Sequence, residues 1–413
     1  MTAKQIVILG GGVGGLVTAN ELRRRLPAGH RITLVEKSVR HAFAPSFLWL
    51  MTGARRADQI TADLATLVRP GIEIVHAEAR SIDPARGEVE ANGRSIAYDH
   101  LVVALGAELA PDAIPGLAEG AHTFYTLEGA ARLRDALAGF AGGDIAVVVS
   151  ALPYKCPGAP HEGAMLIADV FRARGRRQAV RVRLYTPEPQ PMPVAGPALG
   201  NAVIEMLAAK GIEFHAGHKL ASVDPSKREM HFESRPPVAY DLLVAIPPHR
   251  GPRVIRDAGL ANEAGWIPVD RRTLATVHPG VHAIGDVTAI PIPGRWKPDV
   301  PMALPKAGVF AHAQAEVVAR RIAADVTGLA ADAEFCGDGY CMLEVGGDLA
   351  GFAFGNFFAE PAPDVRLRRM GRAWHLGKVL LEQWWLAPFG PRRAALELAL
   401  KLGARVYGVP AVL

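Results

Sequence analysis

The residues best suited to redox or nucleophilic chemistry are two widely separated cysteines. Cys156 stands in "PYKCPGAPHEGAMLI", in a Pro/Gly turn just before a helix predicted to start near His161. Unpaired N–H groups at a helix N-terminus and the adjacent Lys155 favour a thiolate, the form that takes part in disulfide exchange. Glu162 follows six residues later, where it can shuttle protons on the same side. The alternative is a small buried hydrophobic residue at Cys156 and an ordinary first-turn acid at Glu162.

The second candidate thiol is Cys341, in "GYCMLEVG", at the predicted start of a strand after a glycine turn. Cys336 lies five residues upstream, and this C-x4-C spacing without further Cys or His nearby is not that of a zinc site. We therefore interpret Cys336 as incidental and predict no metal site. Three cysteines in 413 residues are also too few for a disulfide scaffold.

A glycine fingerprint near the start of the chain indicates the element that positions a cofactor. "KQIVILGGGVGGLVTANELRRRL" reads as strand, turn and helix, with Gly10, Gly12 and Gly15 in a G-x-G-x-x-G pattern. These glycines permit a tight turn, approach of a pyrophosphate and close helix–strand packing. A second predicted strand ends in Glu36, whose carboxylate is suited to a ribose hydroxyl. The alternative is a glycine-rich turn without a ligand.

Two later stretches favour FAD over NAD as that cofactor. "YDHLVVALGA" ends a strand at Gly106, and "HPGVHAIGDVT" presents Asp286 after an apolar strand and a glycine. Both resemble motifs of flavoproteins with two dinucleotide-binding domains, in which such an aspartate binds the ribityl chain of the flavin. A helix N-cap is the alternative role for Asp286.

An internal repeat predicts a second domain of the same kind. Residues 71–107 and 211–249 both start with Gly-Ile-Glu and run through Asp-Pro and Tyr-Asp to an apolar strand. A repeat of this length indicates two related domains. At the same offset, the three fingerprint glycines map to Ser150, Leu152 and Lys155, and the next strand lacks an acid comparable with Glu36. The second domain is therefore predicted to keep its fold but to have lost NAD(P)H binding.

Charge is concentrated at the C-terminus. Residues 366–413 carry nine Lys or Arg and two acids, within a chain of net charge +5 that is 50% hydrophobic. "RRAALELALKLGARV" is predicted to form a helix with one narrow charged stripe, made by Glu397, Lys401 and Arg405. Three tryptophans precede it, and this combination is typical of a helix lying in the headgroup layer of a membrane. A helix docked on its own domain or in a dimer is the alternative.

These stretches together resemble one family of flavoproteins. "PYKCPGAPHEGAMLI", "DLLVAIPPH", "HAIGDVT", "LPKAGVFAHAQAEVVA" and "GYCMLEVG" are similar to sulfide:quinone oxidoreductases and the related flavocytochrome c sulfide dehydrogenase flavoproteins, from Lys4 to about Leu386. The resemblance implies that Cys156 and Cys341 form a redox bridge on one side of the flavin. It also implies that Lys306 lies near the flavin ring and Lys378 near a quinone ring.

The resemblance implies a mechanism and also shows three departures. Hydrosulfide attacks the Cys156–Cys341 bridge and leaves a persulfide, and electrons pass through FAD to the quinone. A third cysteine found in many members is replaced, with Tyr125 at its expected position. No cysteine follows the second strand, which predicts non-covalent FAD. Leu381 replaces an aromatic residue that flanks the quinone, a role for which Phe352 and Phe357 are the candidates here, although both fit a core equally well.

We therefore predict an α/β protein with two Rossmann-like dinucleotide-binding domains carrying β-meanders, and a C-terminal α+β region at the membrane interface. The expected domains are residues 1–110 with 255–325 for FAD, 111–254 for the degenerate site, and 326–413. The predicted function is FAD-dependent oxidation of sulfide to polysulfide or sulfur through the Cys156–Cys341 pair, with electrons passed through FAD to a membrane quinone. The alternatives are a non-quinone acceptor, an NADH:quinone oxidoreductase and a non-enzymatic redox sensor.

The predicted location follows from the same reading of the sequence. Without a signal peptide or an apolar transmembrane run, we expect a peripheral membrane protein on the cytoplasmic side. Its expected partner is the membrane surface, and a homo-oligomer is left open. Nucleic acid is excluded, because the basic tail is interleaved with apolar residues and has no base-reading motif.

Overall fold

The N-terminal third of the chain alternates strands with helices. The computed structural model describes residues 3–297 and 299–410. The elements up to residue 139 are β1 (Gln5–Leu9), α1 (Val13–Arg25), β2 (Arg31–Val35), β3 (Arg40–Ala42), α2 (Phe47–Thr52), β4 (Thr61–Asp63), β5 (Ile72–Val75), β6 (Ala79–Asp83), β7 (Glu88–Ala91), β8 (Arg94–Ala97), β9 (His100–Val103), β10 (Glu108–Leu109), α3 (Leu117–Gly120) and α4 (Leu127–Gly139).

The middle of the chain repeats this order of elements and then returns towards the first part. Its elements are β11 (Gly143–Val149), α5 (Ala159–Ala173), β12 (Val180–Tyr185), α6 (Pro197–Ala208), β13 (Ile212–His215), β14 (Leu220–Asp224), β15 (Glu229–Phe232), β16 (Arg235–Ala239), β17 (Leu242–Ile246), β18 (His249–Arg250), α7 (Arg253–Asp257), β19 (Ile267–Pro268), β20 (Val281–Ala283), β21 (Thr288–Ala289) and α8 (Gly308–Thr327).

The C-terminal part is a meander followed by two helices. Its elements are β22 (Asp338–Gly346), β23 (Leu349–Asn356), β24 (Asp364–Gly371), α9 (Arg372–Leu386) and α10 (Pro391–Tyr407).

Two parallel sheets form the centre of the fold. The first has the order β20-β9-β1-β2-β5 and the second β13-β12-β11-β17. Residues 6–9 of β1 and 145–149 of β11 are fully buried, because each strand lies in the middle of its sheet and both are rich in Val and Ile. Each sheet has its own antiparallel meander, β6-β7-β8 or β14-β15-β16. The predicted pair of Rossmann-like units with meanders is confirmed, whereas the exact domain bounds stay a prediction.

The two C-terminal helices differ in how deeply they are packed. Helix α9 lies against β22, β23 and β24 and buries Lys378, Glu382, Trp384 and Trp385, whereas α10 packs on α9 without burying any residue completely. Trp384 and Trp385 are two of the three tryptophans that the sequence analysis expected at a membrane interface. That expectation was wrong for both, since their indoles are core residues. No helix within the described ranges is long and apolar enough to cross a membrane.

Candidate functional site

The glycine loop between β1 and α1 has the backbone geometry that a dinucleotide requires. Gly10 has φ +98°, and a Cβ on it would lie 2.5 Å from the carbonyl oxygen of Ala104. A Cβ on Gly15 would lie 1.8 Å from the Gly10 oxygen, whereas a Cβ on Gly12 would meet nothing within 4 Å. Two glycines thus permit close packing, and the third leaves the backbone open to a pyrophosphate at the start of α1.

The acid after the second strand is fixed to this loop. Glu36 Oε2 accepts a hydrogen bond from the Gly11 amide at 2.6 Å, and Oε1 accepts one from the Ser38 amide at 2.8 Å. The carboxylate is therefore held at the mouth of the glycine loop, where the sequence places a ribose ligand.

Asp286 and Lys306 meet at the end of β20. Lys306 Nζ donates to the backbone oxygens of Asp286 at 2.7 Å and Thr288 at 3.0 Å, and it lies 3.4 Å from the ring centroid of Trp266. Burial lowers the pKa of Lys306 to about 8 and raises the pKa of the Asp286 carboxyl. Asp286 Oδ1 is buried without a hydrogen-bond partner in the described chain, so it is free to accept from a ligand hydroxyl.

Gly106 follows β9 with φ +68°, and a Cβ there would meet nothing within 4 Å. The open backbone at Gly106 and Gly12, together with the unpartnered oxygen of Asp286, fits a dinucleotide cofactor with hydroxyl groups.

The loop carrying Cys156 is attached to the Lys306 segment. Cys156 has φ +56°, and its amide donates to the Lys306 oxygen at 2.7 Å. Its own oxygen accepts from the Ala159 amide at 2.9 Å, which joins the loop to the start of α5. These two bonds hold the Cys156 loop between the Lys306 segment and the start of α5.

Cys341 reaches the same place from β22. A Cβ on Gly158 would lie 3.3 Å from Cys341 Sγ and 3.6 Å from Glu162 Oε2. Glycine at 158 therefore leaves the space in which the second thiol, the carboxylate and the Cys156 loop come together. All three cysteines of the chain are free thiols, and the third, Cys336, is exposed on its loop.

An ion pair lies beside the two thiols. Lys378 Nζ donates to Glu162 Oε1 at 2.7 Å, and the same oxygen accepts from the Glu344 amide at 2.9 Å. Although burial disfavours the ammonium, the carboxylates of Glu162 and Glu344 outweigh it and raise the pKa of Lys378. The sequence did not suggest that Lys378 contacts the acid of the cysteine cluster.

The expected thiolate at Cys156 is not supported by this environment. Burial raises the pKa of the Cys156 thiol to about 12, and the negative charge of Glu162 adds to the effect. The pKa of Cys341 is also raised well above its usual value, first by burial and then by Glu162 and Cys156. The helix terminus and Lys155 do not compensate for this burial, so in the reduced pair both thiols are neutral near pH 7.

Sequence reasoning missed a buried acid and a histidine behind this cluster. Glu344 Oε2 lies 2.9 Å from His375 Nδ1, and burial raises the pKa of Glu344. His375 also packs edge-on against Trp49, whose ring centroid lies 5.6 Å from Lys378 Nζ. Glu344 lies three residues after Cys341 and His375 three before Lys378, but only the fold brings β22 and α9 together.

Tyr125, at the expected position of the missing third cysteine, lies against the Cys156 loop. Its hydroxyl donates to the Lys155 oxygen at 3.0 Å, and burial raises the phenol pKa well above its usual value. The neutral phenol of Tyr125 therefore fixes the Cys156 loop by donating a hydrogen bond to its backbone.

The two aromatic candidates for a quinone site are both buried. Phe352 stacks on Trp374, with ring centroids 4.7 Å apart, and Phe357 packs edge-on against Phe310 at 5.1 Å. Lys378 instead contacts Glu162, the Met342 oxygen and Trp49.

At the second sheet, where the fingerprint is missing, loop side chains hydrogen-bond to each other. Tyr154 follows β11 as a buried side chain, and its hydroxyl donates to Glu188 Oε2 at 2.8 Å. Burial raises the pKa of Glu188 to about 7. Glu188 lies two residues beyond the position that follows β12 as Glu36 follows β2. Its carboxylate already accepts a hydrogen bond from Tyr154. The sequence offset pairs Leu152 with Gly12, but residues 150–158 connect β11 to α5 where residues 10–12 connect β1 to α1, so the residue that starts the helix as Gly12 does is Gly158.

Comparisons with known proteins agree with these features. A family model described as pyridine nucleotide-disulphide oxidoreductase matches residues 4–315. The chain is 30% identical over 399 residues to a sulfide-quinone reductase of Aquifex aeolicus, covering 93% of this chain and 90% of that one. The crystal structure of the sulfide:quinone oxidoreductase from that bacterium superimposes with a TM-score of 0.82 at 27% identity, covering 92% of this chain and 90% of that one.

Two further relatives are more distant in sequence or coverage. The mitochondrial sulfide:quinone oxidoreductase of Mus musculus is 28% identical over 305 residues, which are 70% of this chain and 66% of the mouse protein. A type II NADH:quinone oxidoreductase of Staphylococcus haemolyticus is 25% identical over 346 residues, covering 79% of this chain and 84% of that protein.

Proposed function

We propose that this chain, which belongs to the pyridine nucleotide-disulphide oxidoreductase family and within it to the sulfide:quinone oxidoreductases, is an FAD-dependent enzyme that oxidises sulfide and reduces a quinone. The observation that carries this function is the meeting of the Cys156 loop, Cys341 and Glu162 across Gly158. The proposed sulfide-oxidising site needs two thiols that can form a bridge. The two thiols here lie far apart in the sequence, one before α5 and the other on β22.

The proposed sulfur chemistry uses the two thiols and one carboxylate. Hydrosulfide attacks the Cys156–Cys341 bridge, so that one S–S bond forms as another breaks, leaving a persulfide on one cysteine and a thiolate on the other. The bridge re-forms when a second hydrosulfide removes the outer sulfur of the persulfide as polysulfide and the two cysteines give up two electrons, which bound FAD would accept. Because burial favours neutral thiols, this oxidation requires a base at the sulfur. Glu162 is the carboxylate next to Cys341 Sγ and is proposed to accept that proton.

The residues at the first sheet are proposed to hold the cofactor. FAD, when bound, accepts two electrons from the sulfur side and passes them to the quinone. The open Gly12 backbone at the start of α1 supports a pyrophosphate there, and Glu36 and Gly106 are proposed to flank the rest of the dinucleotide. The unpartnered Asp286 oxygen supports binding of a ribityl hydroxyl, with Lys306 beside the ring. This binding is proposed to be non-covalent.

Lys378 is proposed to act on the quinone. Reduction of a quinone by HS⁻, giving S(0) and quinol, takes up one proton, so a proton donor is needed at the ring. Lys378 is an ammonium held by Glu162. Phe352 lies on the same sheet face as its register partner Met342, whose oxygen accepts from Lys378, and this supports Phe352 over Phe357 as the aromatic residue nearest the ring.

Helix α10 is proposed to bring the enzyme to the bilayer in which a quinone dissolves. Leu398, Leu402 and Val406 are 59%, 50% and 80% exposed, and they follow one another at helical spacing. Basic residues beside this face, Lys401 and Arg405, complement anionic headgroups. A membrane surface is therefore proposed to cover this face of α10. Attachment from the cytoplasmic side and formation of a homo-oligomer stay predictions.

Anaerobic flavin spectroscopy tests the proposed function. Sulfide added to the FAD-bound protein should bleach the flavin absorbance, and a soluble short-chain quinone should restore it. An intact flavin after sulfide would overturn the proposal. Restoration by a cytochrome but not by a quinone would instead support the soluble acceptor.

Anaerobic flavin spectroscopy also distinguishes the proposed function from that of an NADH:quinone oxidoreductase. Because Tyr154 is hydrogen-bonded to Glu188 and the loop of residues 150–158 replaces the short glycine turn, NADH should leave the flavin oxidised. Bleaching by NADH at a rate similar to that with sulfide would favour the alternative.

A further inference from the structure

Three groups form a hydrogen-bonded row from the C-terminal helix to the glycine loop. Trp385 Nε1, on α9, donates to His41 Nε2 at 2.8 Å. His41 Nδ1, on β3, lies 3.0 Å from the Gly11 oxygen. Trp385 and His41 are only 6% and 8% exposed, so water does not replace these partners readily.

The chemistry of the two rings fixes the direction of both bonds. An indole N–H only donates, so His41 Nε2 accepts and the single ring proton must be on Nδ1. Burial lowers the pKa of His41 and keeps the ring neutral. His41 Nδ1 therefore donates to the Gly11 oxygen, and Trp385 selects the tautomer that does so.

This bond also orients the next amide. The Gly11 carbonyl and the Gly12 N–H belong to one planar trans peptide and point in opposite directions. Holding the Gly11 oxygen towards His41 thus turns the Gly12 N–H away from His41, at a residue where an added Cβ would meet nothing within 4 Å. The preceding amide, that of Gly11, is fixed by Glu36.

We propose that Trp385 and His41 are positioning residues that set the Gly12 amide for the FAD pyrophosphate, so that α9 controls the affinity for the cofactor. The inference rests on the proposed FAD binding. It assigns to the C-terminal helix a role in the first sheet that is separate from sulfur chemistry and from the quinone.

The neighbouring indole provides a matched control. Trp384 is also 6% exposed, but its Nε1 has no hydrogen-bond partner in the described chain. We call the hydrogen-bonded row from Trp385 through His41 to the Gly11 oxygen the relay. Trp385→Phe removes an N–H that belongs to the relay, whereas Trp384→Phe removes an N–H that lies outside it. FAD release from diluted holoenzyme, followed by flavin fluorescence, gives the dissociation constant of each variant.

We expect Trp385→Phe to raise the FAD dissociation constant about three- to tenfold, the usual contribution of one hydrogen bond, and Trp384→Phe to leave it within about twofold. The melting temperatures of the apoproteins should fall in both variants, since each loses a buried indole, and they should fall further in Trp385→Phe, which also loses a buried hydrogen bond. Equal dissociation constants in the two variants would overturn the inference, as would a lower melting temperature of Trp385→Phe without weaker FAD binding.

A double-mutant cycle tests the relay itself. His41→Asn supplies an amide N–H near the place of Nδ1 and no longer depends on a tautomer. In that background Trp385→Phe should have no further effect on FAD affinity, and an undiminished effect would contradict the relay. Absence of FAD binding in the unmodified protein would instead overturn the proposed function.

Discussion

Glycine 158 sets the distance between the thiols and the carboxylate. An added Cβ would lie 2.7 Å from Leu343 Cδ2 and 3.3 Å from Cys341 Sγ, so the side chains of Leu343 and Cys341 or the Cys156 loop must move. Gly158→Ala should slow sulfide-driven flavin reduction at least tenfold, because even small displacements of reacting groups are costly, while FAD stays bound. Gly139→Ala, where a Cβ meets nothing within 4 Å, is the control. Wild-type rates in both variants would contradict the assigned geometry.

The Glu162–Lys378 pair is predicted to contribute to stability as well as to chemistry. Glu162 and Lys378 are 2% and 6% exposed. Glu162→Gln leaves the ammonium without the counter-charge to which it is hydrogen-bonded and should lower the free energy of unfolding by about 3–5 kcal/mol, as is usual when one partner of a buried pair is removed. Urea unfolding measures this change. The exposed pair Lys219–Glu233 offers a control, because Glu233→Gln should change stability by less than about 1 kcal/mol.

At this scale the sequence identified residue types better than their environments. Cys156, Cys341 and Glu162 could be found because glycine turns and a helix start mark them. The protonation state of Cys156 could not, because burial by the rest of the fold outweighs the local effects of Lys155 and the helix terminus. Glu344 has no marker in the sequence and becomes a candidate only when α9 covers β22.

Among the elements, α10 is the one whose removal should separate membrane binding from catalysis. It buries no residue completely, and its apolar face is open to solvent. Truncation at Gly390 should abolish flotation with anionic liposomes, yet leave sulfide-driven flavin reduction and FAD affinity within about twofold, because Trp385 and Lys378 remain on α9. Equal flotation of both proteins would remove this helix from the proposed interface. Loss of FAD with α10 would contradict its separation from the cofactor site.

The repeat made the central elements predictable. Strands β5 to β9 recur as β13 to β17 at the predicted offset, since each Gly-Ile-Glu and Tyr-Asp marks the same strand in both units. The packing of α9 was not predictable, because its tryptophans are compatible with a membrane face and with a core. Only contact with β3 and the glycine loop decides for the core.

Over the whole molecule, buried histidines should make stability fall in mild acid. Burial lowers the pKa of His161, His282 and His312 to about 4 and that of His249 to about 3. Between these values and the unfolded pKa of about 6.5, the unfolded chain binds more protons, so stability decreases as pH falls, by up to about 1.4 kcal/mol per pH unit for each histidine. Glu188, whose pKa is raised to about 7, acts in the opposite direction, as do Asp286 and Glu344, whose pKa values are also raised by burial, whereas the lowered pKa of His41 adds to the effect of the other histidines.

Urea unfolding at pH 7 and pH 5 measures this effect. His161 lies at the start of α5 with neither ring nitrogen bonded in the described chain, so His161→Met should reduce the difference in unfolding free energy between the two pH values. His218→Met, at a half-buried ring, is the comparison. An unfolding free energy independent of pH in this range would contradict the assignment of buried neutral imidazoles.

The central claim concerns two thiols brought together by the whole fold, and one measurement addresses it most directly. Anaerobic stopped-flow with sulfide follows flavin reduction in Cys156→Ser, Cys341→Ser and, as the control, Cys336→Ser, whose thiol is exposed and outside the cluster. We predict that the first two variants keep FAD but lose reduction by more than about a hundredfold, because no bridge forms, while Cys336→Ser reacts like the unmodified protein. Reduction at an unchanged rate in either of the first two variants would contradict the account.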